Sequence, residues 1–546
     1  MIDPKTKQVN WPRAAVVYQI YPRSFRDTSN NGIGDLEGII EKLDYLNDGT
    51  EESLGIDAIW LTPVYKSPMV DFGYDVSDYN DIDPVFGDLK VFDKLVEEAH
   101  RRNIKIIMDF VPNHTSSQHP WFIESRSSRD NPKRDWYVWR KPKSDGSPPN
   151  NWLSVFGGSA WTYNKKTNQF YLHSFAKEQP DLNWHNFEVR DAIKQAMRFW
   201  LKKGVDGIRM DAVYWLAKDR KFQDDPPNPN YQEGVTDPYE GLLHTRSRNQ
   251  QEMFDFLNEL GAVIADYPER FMMTEAYPEK RIDVGEYMRF YKNYNNKIAA
   301  PFNFEMIYLP WKADAYKRFI DDFQAALRPG DLPIYVLGNH DRSRVASRLG
   351  TQQACVAAMM LLSLPGLLFI YYGEELGMKD TSVPQDKVRD PWGKGSPSFN
   401  FGREPVRTPM QWNSQKYAGF SEVNPWLPVA NDYKEINVES ESADSRSILN
   451  LYRKLIHFRK SSAAFLKGEY YPLGINNKQI FAFIRGHESE KILVLLNFSK
   501  EEQKMTLNFK KAKIVYNTQL DKEFGSEIDM KNLSFHPHEG YILNIS

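Results

Sequence analysis

Polar side chains able to do chemistry stand at the ends of apolar runs along this chain. Asp109, Asn113 and His114 lie in IKIIMDFVPNH (104–114), and Arg209 and Asp211 in DGIRMDAV (206–213). Glu275 lies in RFMMTEAY (270–277), and His340 and Asp341 end IYVLGNHD (334–341). A single Asp at a strand end reads most simply as a helix cap or one half of a surface ion pair. Carboxylates, imidazoles and an arginine gathered together would instead repel or lose hydration without a task. Cleavage of a glycosidic bond is such a task. One carboxylate must be ionised to attack or stabilise the anomeric carbon, and another must be protonated to give the leaving oxygen its proton. An arginine beside the first lowers its pKa, and a negative charge near the second raises that one.

The elements that must gather these residues are short apolar strands alternating with amphipathic helices. Strand-like runs occur at 16–25, 58–65, 104–114, 206–213, 270–277, 334–341 and 367–375, with an eighth expected in the Pro-containing stretch 299–308. Helical stretches at 89–103, 189–203 and 250–265 lie between them. Near-continuous apolar strands followed by helices imply parallel strands covered on the outside. Eight would close a (β/α)₈ barrel, an α/β fold whose enzymes build their sites on the face carrying the strands' carboxyl ends. Residues 113–180 break the rhythm as a long insertion rich in Trp, Asn, Ser, Gly and Pro, and 380–445 form a second irregular excursion; long loops of this kind are usually functional. From about residue 470 alternating strands without helices predict a small antiparallel β-domain. The expected division is 1–112 and 181–468 for the barrel, 113–180 for the insertion, and 469–546 for a C-terminal β-sandwich.

At 546 residues the chain is too long for one ordinary core. A formal charge of −3 lacks the basic footprint a nucleic-acid partner requires, and gives no reason to invoke an anionic membrane. The apolar stretch 354–373 is interrupted by Pro365 and Gly366 and reads as a buried helix followed by a strand, not a membrane span. No signal segment is visible at the N-terminus. Cys355 is the single cysteine, which excludes an intramolecular disulfide and makes a reducing cytoplasm the expected location. Aromatic residues make up 14% of the chain. Most belong in the core, while a smaller share is suited to packing on the C–H faces of sugar rings.

DFVPNH, GIRMDAV, MTEAY and VLGNHD resemble, in order, the four signature regions of the alpha-amylase superfamily, glycoside hydrolase family 13. QPDLNW (179–184) is similar to its fifth region, and RTPMQW (407–412) to a motif of its alpha-glucosidase branch. The resemblance implies that Asp211 is the nucleophile, Arg209 its electrostatic partner, and Glu275 the general acid and then base. It implies that Asp341 grips the 2- and 3-hydroxyls of the glucose, with His114 and His340 bonding other hydroxyls. Asp71 and Arg407 resemble the pair closing off the non-reducing end, and Tyr74 the ring stacking under the sugar. Phe156, Phe175 and Phe302 are further substrate contacts on the same grounds, each equally readable as core packing. DTSNNGIGD (27–35) resembles the family's small cation loop, where Asp27, Asn31, Asp35 and the Ile33 carbonyl would hold a structural Ca²⁺ or Mg²⁺; it also reads as an ordinary Gly/Asn turn. The family needs no cofactor for catalysis.

Within the QPDLN branch, the residue after the nucleophile is here Ala212. Valine there goes with α-1,6 linkages, so Ala212 implies an exo-acting, retaining α-glucosidase on short maltose-type α-1,4-glucosides, with sucrose as a further substrate and some transglucosylation. An oligo-1,6-glucosidase or a sucrose-active glucosyltransferase or isomerase is the alternative. The same fold also serves in a non-catalytic transporter-associated ectodomain, but that protein has lost the carboxylates retained here. Expected partners are small oligosaccharides, and the protein is expected as a monomer or homodimer.

Overall fold

The computed structural model describes residues 10–277, 282–295, 297–395, 402–509 and 511–546. Eight parallel strands form one sheet: β1 (Val16–Ile20), β2 (Ala58–Leu61), β3 (Lys105–Phe110), β4 (Gly207–Met210), β5 (Phe271–Thr274), β6 (Ala299–Pro301), β7 (Ile334–Val336) and β8 (Leu367–Tyr371). Their spatial order is β6-β5-β4-β3-β2-β1-β8-β7, and a parallel bridge between Asn303 and Tyr335 brings the two ends together. The sheet is therefore a nearly closed barrel. Every residue of β1, β2, β4, β5 and β8 is buried, which is why these strands read as mostly apolar runs, with Gln19 in β1 and Arg209 in β4 as buried polar interruptions.

The sixth strand is shorter than expected. It ends at Pro301, and residues 305–308 form a helical turn instead of continuing the strand. Proline has no N–H to carry a ladder onward, and the apolar residues beyond it pack as a turn over the barrel.

Three long helices show how the sequence covers the barrel. In α1 (Leu89–Arg101), Asp88 caps the N-terminus and Phe92, Leu95, Val96 and Ala99 face inward. In α2 (Phe187–Lys202), Asn186 caps and Val189, Ile193, Met197 and Trp200 are buried at helical spacing. Helix α3 (Thr351–Ser363) and β8 take up the run that had length enough to suggest a membrane segment. Among the described residues no helix is long and apolar enough to cross a membrane.

The insertion after β3 contains a three-stranded antiparallel sheet (139–140, 161–164, 169–172) with its own small core of Val138, Trp152, Ala160, Trp161, Phe170 and Leu172. Near the C-terminus, β9 (Glu469–Pro472), β10 (Ile480–His487), β11 (Glu490–Asn497), β12 (Lys513–Asn517) and β13 (Gly540–Asn544) form an antiparallel sheet in the order β9-β10-β11-β13-β12. Phe481, Phe483 and Val494 on one face join the main core, while Ala482, Leu493 and Leu495 on the other pack with Leu533 and Phe535 of a two-stranded ribbon.

Candidate active site

The carboxyl ends of the barrel strands open on a cavity of about 830 Å³. Asp71, Tyr74, His114, Phe156, Phe175, Asp211, Glu275, His340 and Asp341 line it, although in sequence they are scattered through more than half the barrel. Register explains part of the convergence. Arg209 on β4 lies directly opposite Asp109 on β3, and Met273, two residues before Glu275, lies opposite Arg209 on the other side. Strand-end residues therefore meet over the barrel axis.

Arg209 is the hub. Its Nη1 donates to Asp109 Oδ1 (2.7 Å) and Asp211 Oδ1 (2.5 Å), and its Nη2 lies 2.9 Å from Glu275 Oε1. The guanidinium is fully buried over the face of Trp60. Desolvation alone would weaken its charge, but the Asp109, Glu275 and Asp211 carboxylates outweigh it and hold its pKa well above the ordinary value. Asp211 and Glu275 thus face each other across one guanidinium. Burial and the Glu275 charge push the Asp211 carboxyl well up, against the pull of Arg209. The lowering by Arg209 that the sequence predicts for Asp211 is therefore present but outweighed by burial and the Glu275 charge.

The turn after β4 is part of this geometry. Ala212 adopts the left-handed region at φ 49°, ψ 36°, and its N–H donates to Glu275 Oε2 (2.8 Å). An unbranched side chain tolerates that backbone better than a β-branched one. Its methyl is buried behind the cavity, so Ala212 acts through its backbone rather than as a lining side chain.

Asp341 Oδ1 accepts from Arg407 Nη2 (2.8 Å) and Arg403 Nη1 (3.2 Å). Burial raises its pKa, but the surrounding His340, Arg403 and Arg407 prevail and hold it far below the usual carboxylate range. Asp71 is paired with Arg403, whose Nη2 donates to Asp71 Oδ1 at 2.6 Å. This corrects the expectation placed on Arg407. Arg407 is fully buried behind Asp341 and spends its Nε on the His340 carbonyl, whereas Arg403 lines the cavity and bridges Asp71, Asp341 and Asp390. Arg403 stands four residues ahead of Arg407 in GREPVRTPMQW, and no local pattern separates the two.

Phe302 is likewise not a substrate contact. It lies fully buried beneath the site, packed on Trp60, Phe304 and Phe369. His340 lines the cavity but has both ring nitrogens engaged, Nδ1 with Gln19 (2.8 Å) and Nε2 with Tyr74 (2.8 Å). His114 meets the side-chain amides of Asn113 and Gln179, and burial lowers its pKa to about 4. Both imidazoles are therefore neutral near pH 7. Phe156 and Phe175 meet edge to face in the wall (5.7 Å).

On one whole side of the cavity the sequence marked the stretch 224–244 only by its resemblance to alpha-glucosidases acting on short substrates and singled out no individual residue. Trp215, Tyr239, His244, Arg248, Tyr277, Arg342 and Trp392 line this side, together with Asn228, Asn230, Asp237 and Glu240. Flat groups run outward along one wall: Phe175 to Trp215 (5.0 Å), Trp215 to Arg248 (5.3 Å), Arg248 to Tyr239 (5.9 Å) and Tyr239 to His244 (3.7 Å). Such a row of faces suits sugar rings.

In the 27–35 loop, the Asp27 carboxylate accepts from Gly32 N and Ser421 Oγ, and Asp35 from Thr28, Ser29 and Gly38. Asn31 accepts from Ile33 N. These oxygens already hold the turn, and no group of three or more His, Cys, Asp or Glu suited to a metal occurs among the described residues. Asp27 Oδ1, whose one neighbour among these bonds is Ser29 Oγ at 3.2 Å, and the second lone pairs of the other oxygens are the atoms that could face a weakly held cation.

Residues 19–468 match the model for the alpha amylase catalytic domain, and 480–542 that for the SusG C-terminal domain. The chain belongs to the alpha-amylase family. It is 40% identical to a probable alpha-glucosidase of Rhizobium meliloti, over 92% of each chain, and 38% identical to an oligo-1,6-glucosidase of Parageobacillus thermoglucosidasius, over 90% of this chain and 91% of that one. Among solved structures, the alpha-glucosyl transfer enzyme XgtA superposes with a TM-score of 0.90 at 36% identity, covering 99% of this chain and 100% of that one. As a member of the alpha-amylase family with such relatives, the chain is a glycoside hydrolase and requires no cofactor for its chemistry.

Proposed function

We propose that the protein is a retaining, exo-acting α-glucosidase that removes glucose from the non-reducing end of short α-1,4-glucosides and of sucrose, with transfer to a second sugar as a side reaction. The observation carrying this reading is the single guanidinium of Arg209 held by both Asp211 and Glu275 at the floor of the cavity. Two carboxyls bound to one guanidinium are close neighbours, which suits the retaining arrangement of about 5–5.5 Å between carboxyl groups better than the ~6.5–9.5 Å an inverting pair leaves for water.

In the proposed sequence, an Asp211 oxygen attacks the anomeric carbon while the bond from that carbon to the glycosidic oxygen breaks. Glu275 delivers its proton to that oxygen, and the aglycone leaves. Glu275, now a carboxylate, takes a proton from water, whose oxygen attacks the anomeric carbon and frees Asp211. Arg209 offsets charge on whichever carboxylate is ionised. Asp341, kept anionic by Arg403 and Arg407, is suited to accept hydrogen bonds from hydroxyls of the ring, and Asp71 with Arg403 to close its far end. The 27–35 loop would take a hard cation at most as a weak structural ligand. The single thiol supports a cytoplasmic location, and a monomer or homodimer remains the expected state.

Purified protein incubated with maltose, isomaltose, sucrose and p-nitrophenyl α-glucoside tests the reading. Maltose turnover exceeding isomaltose turnover, release of α-glucose, and loss of about 10⁴-fold or more in kcat for Asp211→Asn and Glu275→Gln are expected. Isomaltose turned over far faster than maltose would reassign the linkage, in line with the relatives named oligo-1,6-glucosidase.

A further inference from the structure

We propose that Gln19, on β1, is a positioning residue: its amide N–H holds the lone pair of His340 on Nδ1 and thereby directs the hydroxyl proton of Tyr74 onto Asp109, directly beneath the Asp211–Glu275 pair. The proposal rests on the catalytic reading of that pair. Gln19 is buried inside the barrel, opposite Trp60 on β2 and Tyr371 on β8, and neither composition nor motif marked it for a role.

The direction of each hydrogen bond is forced from the carboxylate end. Asp109 is bound by Arg209 at Oδ1, and its Oδ2 lies 2.9 Å from the Tyr74 hydroxyl and 3.3 Å from Trp60 Nε1. A carboxylate oxygen can only accept, so Tyr74 donates to it. With that proton committed, the Tyr74 oxygen has only a lone pair for His340 Nε2 at 2.8 Å, and Nε2 must carry the ring hydrogen. His340 is neutral: burial, with Arg407, Arg209 and Arg403 nearby, drives its pKa down to about 3 against the pull of Asp341. A neutral imidazole has one N–H, so Nδ1 is a bare acceptor, and Gln19 Nε2 at 2.8 Å is the donor it needs. The four groups point one way, Gln19 to His340 to Tyr74 to Asp109, and the Tyr74 and His340 rings lie parallel within 3°.

The benefit falls on the nucleophile. Asp109 and Asp211 compete for the same Arg209 nitrogen. Donors on Asp109 Oδ2 disperse part of its charge and leave more of the guanidinium to Asp211. If Tyr74 instead turned its proton toward His340, Asp109 would hold Arg209 harder. It would also take up a proton more readily, its pKa being already lifted to about 6 by burial and by Glu275 despite Arg209 and Tyr74.

Gln19→Met removes the donor at nearly unchanged volume. The expected result is a kcat lowered about tenfold with KM changed less than about threefold, and an acid limb of the kcat/KM profile moved to higher pH. In a Tyr74→Phe background the same substitution should cost nothing further, because the relay is already cut; additive losses would overturn the proposal. A second measurement does not depend on turnover. In protein carrying ¹⁵N-histidine, the resonance lost in His340→Gln should show its proton on Nε2 and a bare Nδ1 in the unsubstituted chain. A proton on Nδ1 overturns the proposal even if Gln19→Met fails to fold, while leaving the roles of Asp211 and Glu275 untouched.

Discussion

Arg403 joins three carboxylates, Asp71, Asp341 and Asp390, with one side chain. Removing it leaves buried carboxylates facing one another, which costs far more than the pairing itself contributed. Arg403→Gln should therefore lower kcat/KM on maltose by about 10²–10³-fold, mainly through KM, with secondary structure retained by circular dichroism. Ala212 carries a different constraint. Valine there would place a β-branched residue in a left-handed turn and crowd the N–H that reaches Glu275. Ala212→Val should lower kcat on maltose by about tenfold and shift the maltose-to-isomaltose ratio toward isomaltose, read by glucose release from each sugar. Both residues show what sequence can carry at this scale. Asp211, Glu275 and Asp341 were legible because each closes an apolar run, although only Asp211 and Glu275 follow their strands directly; β7 stops at Val336, five residues short of Asp341. The choice between Arg403 and Arg407 was not, because which guanidinium reaches Asp71 depends on how the irregular 380–445 excursion folds over the mouth.

At the scale of elements, strands and helices were legible where burial imposes one period, as in β1 and α2. The short β6 was not, since Pro301 ends pairing while the apolar run continues. Phe302 was left open between substrate contact and core packing for the same reason, since an aromatic just past a strand can face the axis or the layer beneath; the structure places it in the core. The wall from Asn228 to Arg248 carries no periodic signal at all, and its faces are set by bonds such as His244 to the Tyr239 carbonyl (2.7 Å). The turn after β8 holds a separate, testable feature. Glu374 is buried there with the Tyr452 hydroxyl as a donor (3.1 Å), and burial raises its pKa from an ordinary 4.5 to about 7. Arg348 and Glu375 are its other charged neighbours; Glu375 in turn faces Arg344 and Glu441, and the Glu441 carboxyl is likewise raised to about 7 by burial. An acid raised on folding stabilises the fold in its protonated form, so stability is full below about pH 4.5 and falls as pH rises through about 7. Glu374→Gln, which keeps the protonated form's shape, should remove part of that decline. Its unfolding temperature should exceed that of the unsubstituted chain at pH 8 and match it at pH 5.

For the molecule as a whole, the barrel and terminal sheet are joined by arginines that lean on backbone rather than on acids. Arg459 donates to the carbonyls of Ala14, Leu362, Leu364 and Gly366, and Arg485 to those of Ser363, Phe465 and Gly468. Burial lowers both pKa values, that of Arg459 to about 10, yet both stay charged and tie helix ends to the sheet. The charge balance at the opposite end of the barrel has an outcome for anyone who handles the enzyme. Asp109, Asp211 and Glu275 share one guanidinium, so the floor of the cavity is short of positive charge where a sugar turns cationic during bond cleavage. An ammonium carried on a hydroxylated frame, as in Tris, satisfies that shortage without reacting. Kinetics in Tris should show a raised apparent KM for maltose and an unaltered kcat relative to an amine-free buffer of equal pH and ionic strength. The difference should fade in acid, as protons fill the same deficit.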